Sequence, residues 1–376
     1  MPKILTHSKD ISGFEKFIIE NFKKSKQNSS YNIIHVLNFD QLFLEDLNSL
    51  RNAIVNKRAC VLLLAVEPHY FDPLHKISKQ WLQFKEILLK YQIFDCDFFI
   101  PCTFSTHSHK DSINYLSTNF YGWKFYEFNI GIPQIRRISS NDNYLDNSST
   151  LFLNDCYMKF SHLTFTHRMH RQLFSKFLIR EDLVRDNLIA INPVRRDVDE
   201  AEGRYKEAKD RLIKTDQYDG WFYNKHLLDL WRDVPIEYYK HPDITNDFDK
   251  ANLNFLNKAS FNIVSETVFN YPFTFHTEKT VQSFLARRPF IMIGPRRNLQ
   301  QLRDQGFKTF PSIINESYDG IEDPNERLEA IMQLVLELNK KSQQELNDMV
   351  YTVKDILIHN YSLMLKKIKN FTNILE

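Results

Sequence analysis

Glycine is scarce in this chain: 8 of 376 residues, where an average share of about 7% would supply about 26. No GxxxxGK(S/T) loop, GxGxxG fingerprint or GxSxG elbow occurs. P-loop NTPases, simple NAD-dependent dehydrogenases and α/β-hydrolases are disfavoured accordingly. Cysteine is as sparse. Cys60, Cys96, Cys102 and Cys156 show no CxxC spacing and read as reduced core thiols rather than a zinc or dithiol motif. Long apolar runs are missing too. The longest clean one, Ala59 to Val66, suits a buried strand and falls far short of the roughly 20 residues of a membrane span. The opening MPKILTHSKD lacks the basic, apolar and small-residue segments of a secretory signal, so a cytoplasmic setting is expected. Neither sign of charge dominates: 49 Lys and Arg face 47 Asp and Glu, which gives no strong pull toward nucleic acid and no reason to exclude it.

What is present is an ordinary globular composition, 43% hydrophobic and 26% charged, in a chain longer than one core usually serves. Two domains are expected. In residues 1–145, Tyr31 to Leu37, Ala59 to Val66 and Cys96 to Pro101 are strand-like runs. Amphipathic stretches, one near Gln80 to Tyr91, lie between them. This alternation predicts a parallel α/β sheet of Rossmann-like type. Ser139 to Thr150 is polar and turn-rich and marks the boundary. Residues 146–340 repeat the pattern, with Lys159 to Thr166, Phe261 to Glu266, Pro289 to Gly294 and Phe307 to Phe310 as apolar runs. Asp197 to Lys214 is dense in alternating charge and reads as an exposed helix or lid. Residues 341–376 form a long helix opened by a Ser342/Glu345 capping box. Leu346, Met349, Val350, Val353, Ile356, Leu357, Tyr361, Met364, Leu365 and Ile368 recur at three- and four-residue steps on its apolar face, which is expected to pack back across both domains.

Chemistry concentrates in Ser265 to Phe310. A strand ends at Glu266, and Thr277, Glu278, Lys279 and Thr280 open a helix. Threonine caps helices well and glutamate suits a first turn. A lysine there opposes the helix dipole unless it serves an anion, and a nucleotide diphosphate is such an anion. Upstream, His167 to Arg171 follows a strand and opens another helix, with Arg168 and Arg171 spaced to share a face. An exposed basic first turn is the plainer reading of that segment. His162, His167 and His170 match no strong zinc spacing, so no metal is expected there. Asp95-Cys96-Asp97 is an Asp-x-Asp of the kind that holds a divalent cation in GT-A transferases, but its place before a strand suits turn chemistry. Glu67 and His69, after the second strand-like run, are the candidate bases; a cap or ion pair is the structural alternative for Glu67.

Glu266, then Thr277-Glu278-Lys279, then a helix and Pro289-Phe290-Ile291 resembles the donor-site signature of fucosyltransferase-like GT-B glycosyltransferases. Bacteriophage-encoded glycosyltransferases, some from operons that sugar-modify phage DNA, are similar over the same stretch. They continue with a pattern matched here by Gly306-Phe307, Thr309-Phe310 and Tyr318-Asp319. The resemblance spans roughly Lys159 to Ile331, a little under half the chain. It implies two Rossmann-like domains facing a cleft, an N-terminal one for the acceptor and a C-terminal one for a nucleoside-diphosphate sugar. The donor would be UDP- or GDP-linked, with no further cofactor and inversion at the anomeric carbon. Glu278 would hold the ribose, Lys279 a phosphate, Arg168 and Arg171 the diphosphate, and Glu266 the donor sugar or the helix that binds it. A glycan or a hydroxymethylated base of DNA would be the acceptor, with Arg136-Arg137, Arg195-Arg196, Arg287-Arg288 and Arg296-Arg297 available for phosphate contacts. The rivals are a non-catalytic nucleotide-binding protein and a metal-dependent GT-A enzyme using Asp95 and Asp97.

Overall fold

Short apolar runs separated by longer polar stretches form, among the described residues of this computed structural model, two sheets of five strands each. The structure describes residues 3–6, 18–20, 22–24, 26–27, 33–38, 59–64, 85–86, 88–90, 92, 97–102, 124–129, 156–164, 168–191, 224–235, 239–240, 256–266, 268–270, 274 and 276–375. By internal contacts the chain divides into two units, Met1–Pro133 with Ile374–Glu376, and Gln134–Asn373. The expected α/β class with parallel sheets is what is observed. The turn-rich segment 139–150 and the charged segment 197–214 lie outside the described residues.

In the first unit β1 (Lys3–Thr6), β2 (Ile33–Asn38), β3 (Ala59–Leu64), β4 (Asp97–Cys102) and β5 (Lys124–Asn129) pair in sequence order. Every pair is parallel. β1 and β5 add to the three strand-like runs expected here. Ile34, Val36, Cys60, Val61, Leu62 and Phe99 form the buried strand faces, with Ile18, Ile19, Phe22 and Leu88 packed in from the helical segments. Phe22 meets Phe99 at a ring-centroid distance of 4.9 Å. Burial pushes the Cys60 thiol up to about 12, as a reduced core cysteine requires. Asp97 is the first residue of β4; Asp95 lies outside the described residues.

The second sheet has the order β10-β9-β6-β7-β8, comprising β6 (Met158–Thr164), β7 (Leu188–Ile191), β8 (Tyr239–Lys240), β9 (Ala259–Ser265) and β10 (Phe290–Ile293). The chain starts at the centre with β6, moves outward through β7 to the short antiparallel β8, then returns to lay β9 against the other side of β6 and β10 beyond it. Strand order therefore reverses between β6 and β9, the place where open α/β sheets bind their ligands. All seven residues of β9 and all four of β10 are buried; β10 is a continuous apolar run, whereas β9 buries Ser260, Asn262 and Ser265 among its apolar residues. Phe160, Phe174, Phe177, Phe261, Phe290 and Phe310 are fully buried or nearly so, each contributing about 1.5–3 kcal/mol by removal from water.

Helices α1 (Met169–Arg180), α2 (Lys225–Asp233), α3 (Glu278–Leu285), α4 (Asn298–Asp304) and α5 (Pro324–Asn339) surround this sheet, and α6 (Gln343–Thr352) and α7 (Lys354–Leu375) follow. Two expectations are corrected. Phe307 to Phe310 is not a strand. Its aromatic rings are core: Phe307 stacks on Phe284 at 4.2 Å and Phe310 meets Phe290 edge-on at 5.3 Å. Side chains satisfy its backbone instead of a ladder, Lys308 N donating to Asn360 Oδ1 and Phe310 N to Glu316 Oε1. The C-terminal segment is two helices rather than one, interrupted at Val353. The capping box at Ser342 and Glu345 is present; Leu346, Val350, Val353, Leu357, Tyr361 and Met364 are buried, Met349, Ile356 and Leu365 are half-buried, and the side chain of Ile368 lies outside the described residues.

Candidate functional site

The reversal of strand order brings the residues after β6 beside those after β9. Glu266 follows the last residue of β9 and is fully buried. A buried carboxylate is costly unless several donors meet it. Here Thr277 N donates to Oε1 at 3.0 Å, Thr277 Oγ1 to Oε2 at 2.6 Å, and Thr280 Oγ1 also to Oε1. These donors belong to the cap and first turn of α3. Glu266 thus ties the end of β9 to that helix start. The carboxylate meets the start of this helix. Thr277 also caps α3, its hydroxyl accepting from Lys279 N at 3.5 Å and from Lys279 Nζ at 3.2 Å.

The backbone carbonyl of Glu266 faces the other helix start. It accepts from His170 Nε2 at 2.9 Å and from Arg171 Nε and Nη2 at 3.1 and 2.8 Å. Arg171 Nη2 reaches the Ser265 carbonyl as well, at 3.1 Å. One residue therefore holds α1 through its main chain and α3 through its side chain. His170 is buried and stacks on Phe269 at 5.4 Å. Burial holds its imidazole well below the usual histidine range; Arg171, Arg168 and Lys279 lower it further, against the opposing hydrogen bond to Glu266. Arg171, Arg168 and Lys279 all act on this one neutral ring, and the Glu266 carboxylate meets the N-terminus of α3 beside it.

The sequence-named residues divide accordingly. Arg168, Arg171, Glu266, Thr277, Lys279 and Thr280 come together. Arg171 is buried and bonded to backbone carbonyls, whereas Arg168, at the N-cap of α1, and Lys279 are partly exposed. Glu278 opens α3, and its side chain lies outside the described residues, as do Glu67, His69 and His167. His162 is spent inside the sheet, between the Ile263 carbonyl at 3.2 Å and Thr164 Oγ1 at 2.8 Å, and burial lowers it to about 4. Among the described residues no group of three His, Cys, Asp or Glu could hold a metal ion.

No protein-family model matches the sequence, and no curated protein does. The chain is similar in fold to several solved structures at low identity. One is T4 phage BGT in complex with its UDP-glucose substrate, 10% identical over 100% of this chain and 99% of that one, with a TM-score of 0.41. Another is the pneumococcal O-GlcNAc transferase GtfA in complex with UDP and GlcNAc, 10% identical over 95% of this chain and 60% of that one, at 0.37. A third is a ugt transferase from Siraitia grosvenorii in complex with UDP, 10% identical over 97% and 85%, at 0.29. Overlaps this low assign no family, and the site has to be read from its own geometry.

Of the described arginine pairs, Arg287 and Arg288 are buried, Arg296 is partly exposed and Arg297 is exposed. Arg287 lies over the Tyr361 ring at 3.8 Å, Arg288 donates to the Asn257 carbonyl at 3.0 and 2.7 Å, and Arg296 pairs with Glu322 at 3.2 Å. Arg136, Arg137, Arg195 and Arg196 lie outside the described residues. The residue that the sequence undervalues is His170. Its spacing suggests at most a metal ligand and carries no signal of a carbonyl 96 positions away. Among the described residues no helix is long and apolar enough to cross a membrane.

Proposed function

We propose that this chain is a GT-B glycosyltransferase that moves a sugar from a UDP- or GDP-linked donor to an acceptor hydroxyl, in the cytoplasm of a bacterial or phage-infected cell. The observation that carries this reading is that Glu266 joins the starts of α1 and α3, its carbonyl bonded to His170 and Arg171 and its carboxylate to Thr277 and Thr280, where the strand order of the second sheet reverses. Arg168 and Lys279 would meet the diphosphate oxygens together with the first N–H groups of α3, and Glu278 the ribose. In the reaction the bond from the anomeric carbon to the diphosphate breaks and the bond to the acceptor oxygen forms. The acceptor proton passes to a base, Glu67 or His69 of the first unit, with inversion. Charge grows on the diphosphate as it leaves, and fixed cations stabilise that charge without reorganising. No metal or other cofactor enters this scheme, because the cations of the site neutralise the leaving group.

The acceptor is a glycan in this reading rather than a hydroxymethylated base. Arg287 and Arg288 are buried and held by intramolecular partners, which removes that pair from a DNA-binding surface. Salt-sensitive binding of duplex DNA would reverse that choice. The reading is tested by thermal shift with UDP, GDP, CMP and their sugars on the wild type and on Lys279→Ala. A nucleotide at about 100 times its dissociation constant stabilises by about 2.7 kcal/mol. A shift with one nucleoside diphosphate, lost in the variant, supports the donor site. No shift with any nucleotide overturns it, and binding without transfer to any acceptor points to the non-catalytic rival.

A further inference from the structure

The first turn of α1 buries a polar ring that satisfies no unmet need of its partner. A carbonyl oxygen offers two lone pairs, and Arg171 alone supplies the Glu266 carbonyl with two N–H groups, at 3.1 and 2.8 Å. His170 adds a third donor at 2.9 Å. Nε2 must carry the proton, because a carbonyl only accepts. The ring is also fixed on its face. It stacks on Phe269 with an interplanar angle of 17°. Phe269 is held in turn by Arg327, whose guanidinium lies 4.6 Å from the ring centroid and whose Nη2 donates to the Phe269 carbonyl at 3.1 Å. An imidazole held on edge and face, with its oxygen partner already supplied, contributes orientation rather than hydrogen-bond satisfaction.

We propose that His170 is a positioning residue of the donor site: it sets the first turn of α1, and with it Arg168, against the Glu266 carbonyl, and so fixes where Arg168 stands relative to Lys279 at the start of α3. The proposal rests on the donor reading above. Glu266 is the common anchor, its carbonyl taken by α1 and its carboxylate by Thr277 and Thr280 of the α3 start. A shift of α1 along this contact therefore changes the distance between the two cation-bearing turns. A single phosphate needs one of these cations, whereas a diphosphate needs both in register. The signature of positioning is thus a selective loss of preference for the diphosphate.

The test is calorimetric titration of whichever of UDP and GDP the wild type binds, and of its monophosphate, into the wild type, His170→Phe, His170→Gln and Lys279→Ala. Phenylalanine keeps the stack and removes the donor, while glutamine returns an amide N–H near the former Nε2. For His170→Phe the expected loss is about tenfold for the diphosphate and under about threefold for the monophosphate, with His170→Gln recovering to within about threefold of wild type. Equal losses for both ligands, or a glutamine variant no better than phenylalanine, overturn the proposal. Should His170→Phe fail to fold, His170→Asn, whose amide is too short for the carbonyl, is read by the same criteria. A wild type that binds neither nucleotide removes the donor reading and this proposal with it. Binding that Lys279→Ala abolishes and His170→Phe leaves intact removes this proposal alone.

Discussion

Thr277 is bonded to Glu266 twice, its backbone N–H to one carboxylate oxygen at 3.0 Å and its hydroxyl to the other at 2.6 Å. The pair closes the loop between β9 and α3 across 11 residues, and everything attributed to the α3 start depends on it. Replacing Glu266 by alanine leaves the Thr277 N–H and the Thr277 and Thr280 hydroxyls without their acceptor in a fully buried place. A loss of about 3–5 kcal/mol is expected, and with it the nucleotide response. Glu266→Gln, which keeps one of the two acceptor oxygens, should cost less. Urea denaturation of both variants checks this, and equal midpoints for alanine and glutamine would show that the bonds do not matter.

Arg168 and Arg171 are expected to part company when mutated. Arg171 is buried and spends its donors on the Ser265 and Glu266 carbonyls, so Arg171→Ala should lower stability by about 2–4 kcal/mol. Arg168 is partly exposed and makes no side-chain cap bond to α1. Its replacement by alanine should leave the melting temperature within about a degree and weaken diphosphate binding about tenfold, the share of one charge-assisted contact. Melting curves and titrations of the two variants side by side decide the matter; a destabilised Arg168→Ala would assign that arginine to the fold.

Gly294, just past β10, has no room for a side chain. A Cβ there would lie 2.5 Å from Asn298 Nδ2 and 3.2 Å from its Cγ, and Asn298 is fully buried. Gly294→Ala is expected to destabilise by about 1–3 kcal/mol through overpacking. The Asn298 amide atoms have no hydrogen-bond partner among the described residues, so adding Asn298→Ala should restore most of the loss. A double variant as unstable as the single one would refute the clash as the cause.

Acid should weaken the second unit through its buried histidines. Burial lowers His162 and His276 to about 4 from 6.5. Between those values the unfolded chain takes up protons that the folded chain refuses, so this contribution is intact above pH 6.5 and is lost as the pH falls toward 4. Each group adds a slope of about 1 kcal/mol per pH unit in that window. Glu316 and Asp319, raised by burial, act in the opposite sense at low pH, so the comparison has to be made against a variant. His276→Gln should flatten the dependence of the urea midpoint on pH, and parallel curves would remove His276 from the account.

Much of the architecture is legible in the order of residues. A run such as FIMI, bounded by polar turns, marks a buried strand because a strand covered on both faces has no reason to alternate. Ser342 with Glu345, and Thr277 before Glu278, mark helix starts because the cap bonds are local. Leu188–Ile191 escapes such reading: four residues carry too little periodicity to register. Phe307 to Phe310 reads as a strand because its apolar side chains are buried, which the sequence does report, whereas the partners of its backbone are Asn360 and Glu316, up to 52 positions away.

Local periodicity and side-chain chemistry, both carried by the sequence, determine which residues are buried and where helices begin. They also place cations, threonines and a glutamate in two separate segments. Only the tertiary structure lays β9 against β6, so that α1 and α3 begin at one place and Glu266 serves both. It also decides which of two similar arginines is spent on backbone carbonyls. Strand order and burial are set by contacts between segments about a hundred residues apart, and no spacing along the chain encodes them.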